Sequence, residues 1–400
     1  MNGVAGIFFL LLQLTCWGFA NGLGTLMARR QGEGNLPGLG RMLSHGAVLA
    51  LLLAGSLLLL ASLIAPVIFQ KGMTDPQDKI LAENFLALRQ WGLLPLVIDQ
   101  VLQAFCIATN RSKALVVSSA VMVAVNVLLD WLLIFGIGGF PAMGLQGAAA
   151  ASVGAEVAGA LTLLGIFFYT GQAKNHSITW ASFKLDAQLA WSTLKVASPL
   201  MLQYAFSVGG WVTFFLFVEH MGTRALAASQ VLRSIFGLMG LSTWAFAAVT
   251  TAMVSTAVGE GRTEEVPSLI RKIATLSMGL TALLAGGLFL FGTQFLGLYS
   301  DNADFIAYAL PSLHVIAGAT LIMSLATVIF NGVIGTGNTR VNLGIEITSV
   351  ILYLLYCWNV TERLHLSLQW AWTSEFVYWG TALLLSALYL RSGKWRGKKI

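Results

Sequence analysis

Charge is scarce in this sequence. Asp, Glu, Lys and Arg supply only 10% of its 400 residues, whereas soluble globular domains carry about 25%. Cysteine is scarcer still. Cys16, Cys106 and Cys357 each lie inside an apolar run with no second ligand at metal spacing, which argues against a disulfide framework or a zinc site. There is no G-x-x-x-x-G-K-[ST] phosphate loop, no H-E-x-x-H pair and no D-D-x-x-D cluster, so neither an ATP-driven motor nor an enzyme is expected, and no cofactor is called for. The net charge of +6 comes from short basic clusters between apolar runs rather than from one stripe, which sets nucleic acid aside. No charge precedes Arg29, so the start lacks the basic region of a signal peptide.

Apolar residues are what the chain has in quantity, at 57%, with a mean hydropathy of +0.78. A helix needs about 20 apolar residues to cross the hydrocarbon layer. Runs of that kind fall near 4–28, 43–69, 83–109, 115–137, 145–170, 191–219, 226–257, 272–299, 306–334, 343–360 and 368–390. These runs are too long and continuous for the alternating strands of a barrel. An all-α polytopic membrane protein with about eleven spans follows.

Lys and Arg set the orientation. One set of loops and the C-terminus holds Arg29, Arg30, Arg41, Arg111, Lys113, Lys174, Lys184, Arg262, Arg271, Lys272, Arg340, Arg391, Lys394, Arg396, Lys398 and Lys399. The opposite loops hold only Lys71, Lys79, Arg224 and Arg363. The rich side is predicted to be cytoplasmic, which places the C-terminus in the cytoplasm and the chain in a bacterial inner membrane.

The chain also repeats itself. Gly32-Glu33-Gly34 recurs as Gly259-Glu260-Gly261, and the same register pairs Thr109 with Thr336, Lys113 with Arg340 and Asp75 with Asn302. The shift passes over six spans, an even number, so two parallel helical bundles are expected. In this register the span at 191–219 has no partner, because Met1 already pairs with Ala228. The repeat therefore predicts a twelfth span upstream in the intact form. The expected organisation is an N-lobe over 1–170, a cytoplasmic linker over 171–190, a C-lobe over 191–390 and a basic tail over 391–400.

The stretch from Asn126 through Asp130 to Gly136, followed by Gly144-Leu145-Gln146-Gly147 and Ala148 to Ser152, resembles the fifth and sixth helices of the MATE (multidrug and toxic compound extrusion) family. Gly222 to Gln230, Gly259-Glu260-Gly261 and Gly335 to Arg340 fit the same family. The resemblance implies a secondary antiporter that exports small organic cations or drugs in exchange for Na+ or H+. It also implies that Asn126, Asp130 and Ser152 line the cation site, with Na+ held at Asn126 and Asp130. Two features depart from the family: its first helix, with an aspartate that many members use in coupling, is absent, and Trp131 replaces the usual proline after Asp130.

Ionisable groups in spans are costly unless they meet water or a partner, which makes each a candidate. Asn126 and Asp130, four apart, share a helix face and can converge on one ion; the alternative is that Asp130 merely caps its helix. Glu156, one turn beyond Ser152, either tunes Asp130 or pairs elsewhere. Asp99 and Gln103, also four apart, read as a substrate-pathway pair or a helix–helix hydrogen bond. Gln203 and Tyr204 follow Pro199 and read as pathway or packing residues. Glu219 with His220 and Arg233 read as an acid and a base meeting near the outer mouth, either as substrate-pathway residues or as a structural ion pair across the turn. Glu346 and Glu375 fall near run ends and read as solvated or capping groups, and His314 as a core histidine. The rings Trp211, Phe214, Phe215, Phe217, Trp244 and Phe246 suit planar cations through cation–π contact, though most are expected in core or lipid. Besides the cation and the bilayer, no soluble protein partner is implied. A flippase for a lipid-linked precursor and an inactive relic are the competing readings; Arg233 and Arg89 are too few cations within spans for a pyrophosphate cavity.

Overall fold

In the computed structural model, residues 3–72 and 75–397 are described. Met1, Lys398, Lys399 and the side chain of Lys71, all used above for orientation or register, lie outside the described residues. The helices are α1 (Gly3–Gly32), α2 (Leu36–Gly72), α3 (Pro76–Arg89), α4 (Leu93–Ala108), α5 (Ser112–Phe135), α6 (Leu145–Tyr169), α7 (Gln172–Asn175), α8 (Ala187–His220), α9 (Thr223–Gly259), α10 (Val266–Leu290), α11 (Gly292–Gly297), α12 (Ala303–Gly335), α13 (Thr339–Trp358), α14 (Leu368–Trp372) and α15 (Ser374–Arg391). Among the described residues there is no strand, and ten helical segments are long and apolar enough to span a membrane. The eleventh run, 368–390, folds as α14 and α15 with a break at Thr373. In the third span, a tight 3-10 turn at Gln90–Gly92 separates α3 from α4.

The 227-residue register holds at the level of elements. Shifted back by it, α12 covers 76–108, which runs from the first residue of α3 to the last of α4, and α9 ends where α1 ends. Asp75 caps α3 by accepting from the amide of Gln77 at 2.8 Å, and Asn302 caps α12 by accepting from Asp304 at 2.9 Å. Both halves turn with positive φ after the same helices, at Gly34 and Gly261 (69° and 78°) and at Asn110 and Gly337 (57° and 87°). Those angles favour glycine or asparagine, and these residues hold all four positions. The contact between α1 and α4 recurs as well. A Cβ on Gly24 would stand 3.2 Å from the Ala104 methyl, and at the equivalent positions Thr251 Oγ1 donates to Asn331 Oδ1 over 3.2 Å. Small residues let spanning backbones approach where lipid supplies no hydrophobic drive.

The chain divides into two compact units, Met1–Tyr204 and Ala205–Ile400. The expected linker is ordered and belongs to the first. Asp186 accepts from the Gln188 and Leu189 amides that open α8, receives Arg41 at 2.6 Å, and its own amide donates to His45 Nε2 over 3.0 Å. Those amide bonds, first Leu189 and then Gln188, hold the exposed Asp186 carboxyl below the usual range. The carbonyl of His176 lies where a Cβ on Gly40 would sit. The first half of α8 then closes on α1, and the division falls inside α8 rather than at 190.

Candidate functional site

α4 carries Asp99 and Gln103 on one face, and the amide of Gln103 donates to Asp99 Oδ2 over 2.5 Å. The other oxygen, Oδ1, is buried and has no hydrogen-bond partner among the described residues. It faces α6, where Gly159 leaves room: a Cβ there would stand 3.3 Å from it. The carbonyl of Gly159 accepts from Ser118 of α5 at 3.1 Å, tying α4, α5 and α6 together.

One turn earlier on α6, Glu156 accepts two parallel hydrogen bonds from Arg89, at the end of α3, over 2.5 and 2.8 Å. The Arg89 guanidinium also lies 3.9 Å from the centroid of the Phe9 ring of α1. Gly92 leaves room for this pair, since a Cβ there would overlap the ends of both Glu156 and Arg89. The charge of Glu156 is met by Arg89. The pairing is bidentate and buried.

Asn126 and Asp130 lie on α5 beside the face that packs on α6, where Leu129 meets Gly154 and the Leu133 carbonyl meets Gly147. Both are half-buried, as is Ser152. Among the described residues none of the three side chains makes a hydrogen bond or ion pair, so the Asp130 side chain has no cationic partner there. An amide, a carboxylate and a hydroxyl are hard oxygen donors suited to Na+. No three His, Cys, Asp or Glu side chains cluster among the described residues, so any cation at Asp130 would rely on neutral oxygens for its remaining ligands.

Asn21 of α1 donates to the Tyr204 hydroxyl over 2.8 Å, while Gln203 is buried. Glu219 and Arg233 do not meet. Both are exposed, His220 instead pairs with Glu362 at 2.8 Å, and Arg233 lies 5.8 Å from the Phe215 ring. Arg233 lies ten residues into α9, about 15 Å along it from the turn that Glu219 adjoins, so the expected ion pair does not form. Trp211, Phe214 and Phe215 pack on one another and on Phe236 and Trp372 inside the second unit, Phe214 being fully buried, so these rings are core. His314 sits against Phe289, ring centroids 4.5 Å apart.

Two carboxylates were misread from the sequence. Glu346 is 1% exposed and its Oε1 accepts from Ser207 at 2.5 Å and Tyr378 at 2.8 Å. Glu375 is 3% exposed and accepts from the Trp379 indole at 3.1 Å. α13 starts at Thr339, four residues before its apolar run, which sets Glu346 two turns deep. α14 continues the chain ahead of Glu375 and covers what looked like a free helix end.

The MatE family profile matches residues 2–132 and 199–358, well over half of the chain. The chain belongs to the MatE family. Asp99, Gln103, Asn126 and Asp130 fall within the first matched segment, and Ser152 and Glu156 fall outside both. Among its relatives, a probable multidrug resistance protein NorM of Synechocystis sp. is 27% identical over 307 residues, 76% of this chain and 66% of that protein. Another of that name, from Rhizobium meliloti, is 26% identical and is covered over 65% of its length. The match thus spans just under two thirds of these relatives. The MatE fold is shared with a multidrug resistance MATE family transporter solved in an outward-facing conformation (TM-score 0.89, 17% identity, 98% of this chain and 88% of that one). It is shared too with a MATE structure in complex with MaL6 (TM-score 0.87, 17% identity, 99% and 88%).

Proposed function

We propose that this protein is a secondary active antiporter that exports small organic cations across the bacterial inner membrane in exchange for Na+ or H+, with its basic loops and C-terminus on the cytoplasmic side. The observation that carries this reading is Asp130, a carboxylate in a spanning helix of a MatE protein, half-buried and without a cationic partner among the described residues. Glu156, by contrast, is committed to Arg89. An anion in that setting is neutralised either by a proton or by Na+, so the two compete for one carboxylate. Asn126 lies one turn away on the same helix and supplies an amide oxygen; Ser152 offers a hydroxyl from α6. Coupling then needs only that the ion and the drug prefer different access states of the protein. The relatives' names, probable multidrug resistance proteins, support an organic substrate of broad chemistry.

The test is efflux of a fluorescent organic cation from drug-sensitive cells under imposed Na+ and proton gradients. Wild type is expected to export in a gradient-dependent way and Asp130→Asn to lose that dependence while reaching the membrane at the same level. Unchanged dye accumulation with wild type, at confirmed membrane expression, would sink the proposal.

A further inference from the structure

Within the second unit, α10, α12 and α15 enclose a groove of about 760 Å³. Gly332 of α12 lies behind Ile270, one of the residues that line it. A Cβ there would lie 2.7 Å from the end of the Ile270 side chain, so glycine lets Ile270 of α10 pack closely on α12. The walls are apolar, with Ile270 and Met278 on one side and Ile329 and Leu390 on the other. At one end the groove changes character. Trp395 is 1% exposed, and its indole donates to the Leu390 carbonyl over 2.8 Å, folding the end of the chain against the groove. Around it stand Arg271, Arg391 and Arg396. Arg396 meets Glu264 at 3.0 Å, whereas Arg271 and Arg391 are exposed and have no acidic partner among the described residues.

The dimensions choose the occupant. From Arg271, at the loop end, to Gly279, α10 lines the groove for about 12 Å at 1.5 Å per residue, close to one leaflet. One leaflet of the hydrocarbon layer is about 15 Å thick. An apolar trough of leaflet length on spanning helices, open at the side, is filled from the bilayer and not from water. The unmatched arginines at its loop end favour a headgroup with net negative charge, since guanidinium binds phosphate through paired hydrogen bonds. We propose that this groove binds one anionic phospholipid of the surrounding membrane, with its phosphate at Arg271 and Arg391 and an acyl chain along Ile270, Met278, Ile329 and Leu390.

The experiment is intact-complex mass spectrometry of the full-length protein in mild detergent. The protein is titrated separately with phosphatidylglycerol, with phosphatidylcholine of identical acyl chains, and with inorganic phosphate. One phosphatidylglycerol should be retained at concentrations at least about tenfold lower than phosphatidylcholine. That preference should vanish in Arg271→Gln/Arg391→Gln and survive in Arg271→Lys/Arg391→Lys, both pairs being exposed and replaceable without disturbing the core. Filling the trough with Met278→Trp should weaken both lipids alike. Equal retention of the two lipids, a preference untouched by the glutamine pair, or inorganic phosphate competing as well as the lipid would each overturn the proposal.

Discussion

Burial gives the Arg89–Glu156 pair its weight. Its side chains are 12% and 9% exposed, and the guanidinium also lies on the Phe9 ring. Exposed ion pairs contribute little, but removing one partner of a buried pair strands the other charge at a cost of about 3–5 kcal/mol. Glu156→Ala is therefore expected to lower the melting temperature in detergent sharply. Arg89→Met with Glu156→Leu removes both charges at once and should recover most of the loss. If single and double variants melt alike, the pair holds nothing together. From the sequence, Arg89 stood out only as one of few cations inside spans, and Glu156 as an acid one turn from Ser152. Residues 67 apart have no periodic relation, so their pairing is visible only once α3 and α6 are packed. Depth was hidden in the same way for Glu346, because polar residues at the start of α13 made the apolar run look shorter than the helix. Local spacing did disclose one contact: Asp99 and Gln103, four apart on α4, bond to each other.

Helices were legible because a span must satisfy its own backbone, which leaves a long apolar run as its trace. Breaks within runs were less so. The turn at Gln90–Gly92 and the gap at Thr373 are made by packing, with Gly92 yielding its side-chain space to Glu156 and Arg89. Close approach between helices depends on the same kind of yielding. Gly18 and Gly22 of α1, spaced by four, face the first half of α8, where a Cβ would lie 2.7 Å from Met201 Cα and 2.6 Å from Ala197 Cα. Backbone cannot move aside as a flexible side-chain end can. Gly18→Val or Gly22→Val should destabilise the first unit by about 1–3 kcal/mol or more, the usual range for overpacking. Gly6 on the same helix has nothing within 4 Å, so Gly6→Ala serves as the neutral control. Thermal denaturation of the three variants in one detergent decides the matter. Equal melting of Gly22→Val and wild type would mean that α1 and α8 are not in contact at that point.

The repeat was readable from three loops and reappears in helix ends, caps and positive-φ turns, because a duplicated path through the membrane needs the same punctuation in both copies. The acids within the spans do not follow it. Shifted by 227 residues, Asp130 falls on Cys357 and Glu156 on Leu383, so the two units share a frame and differ in chemistry. The place where one unit gives way to the next was not readable, since a polar stretch such as 171–190 looks like a tether whether or not it is docked. Here Asp186, Arg41, His45 and Gly40 fasten it, and α8 from Ala187 to Tyr204 completes the first unit against Gly18, Gly22 and Asn21. A fragment ending at residue 178 would expose the surface of α1 that this half-helix covers. Expressed alone, residues 1–178 should aggregate on extraction, while co-expression with residues 179–400, each piece separately tagged, should yield a monodisperse complex that co-purifies. The cut falls between Ile178 and Thr179, outside every helix, so the break itself removes no helical hydrogen bond. A monodisperse 1–178 fragment would show that the first unit closes without α8, and the boundary would then belong at the linker after all.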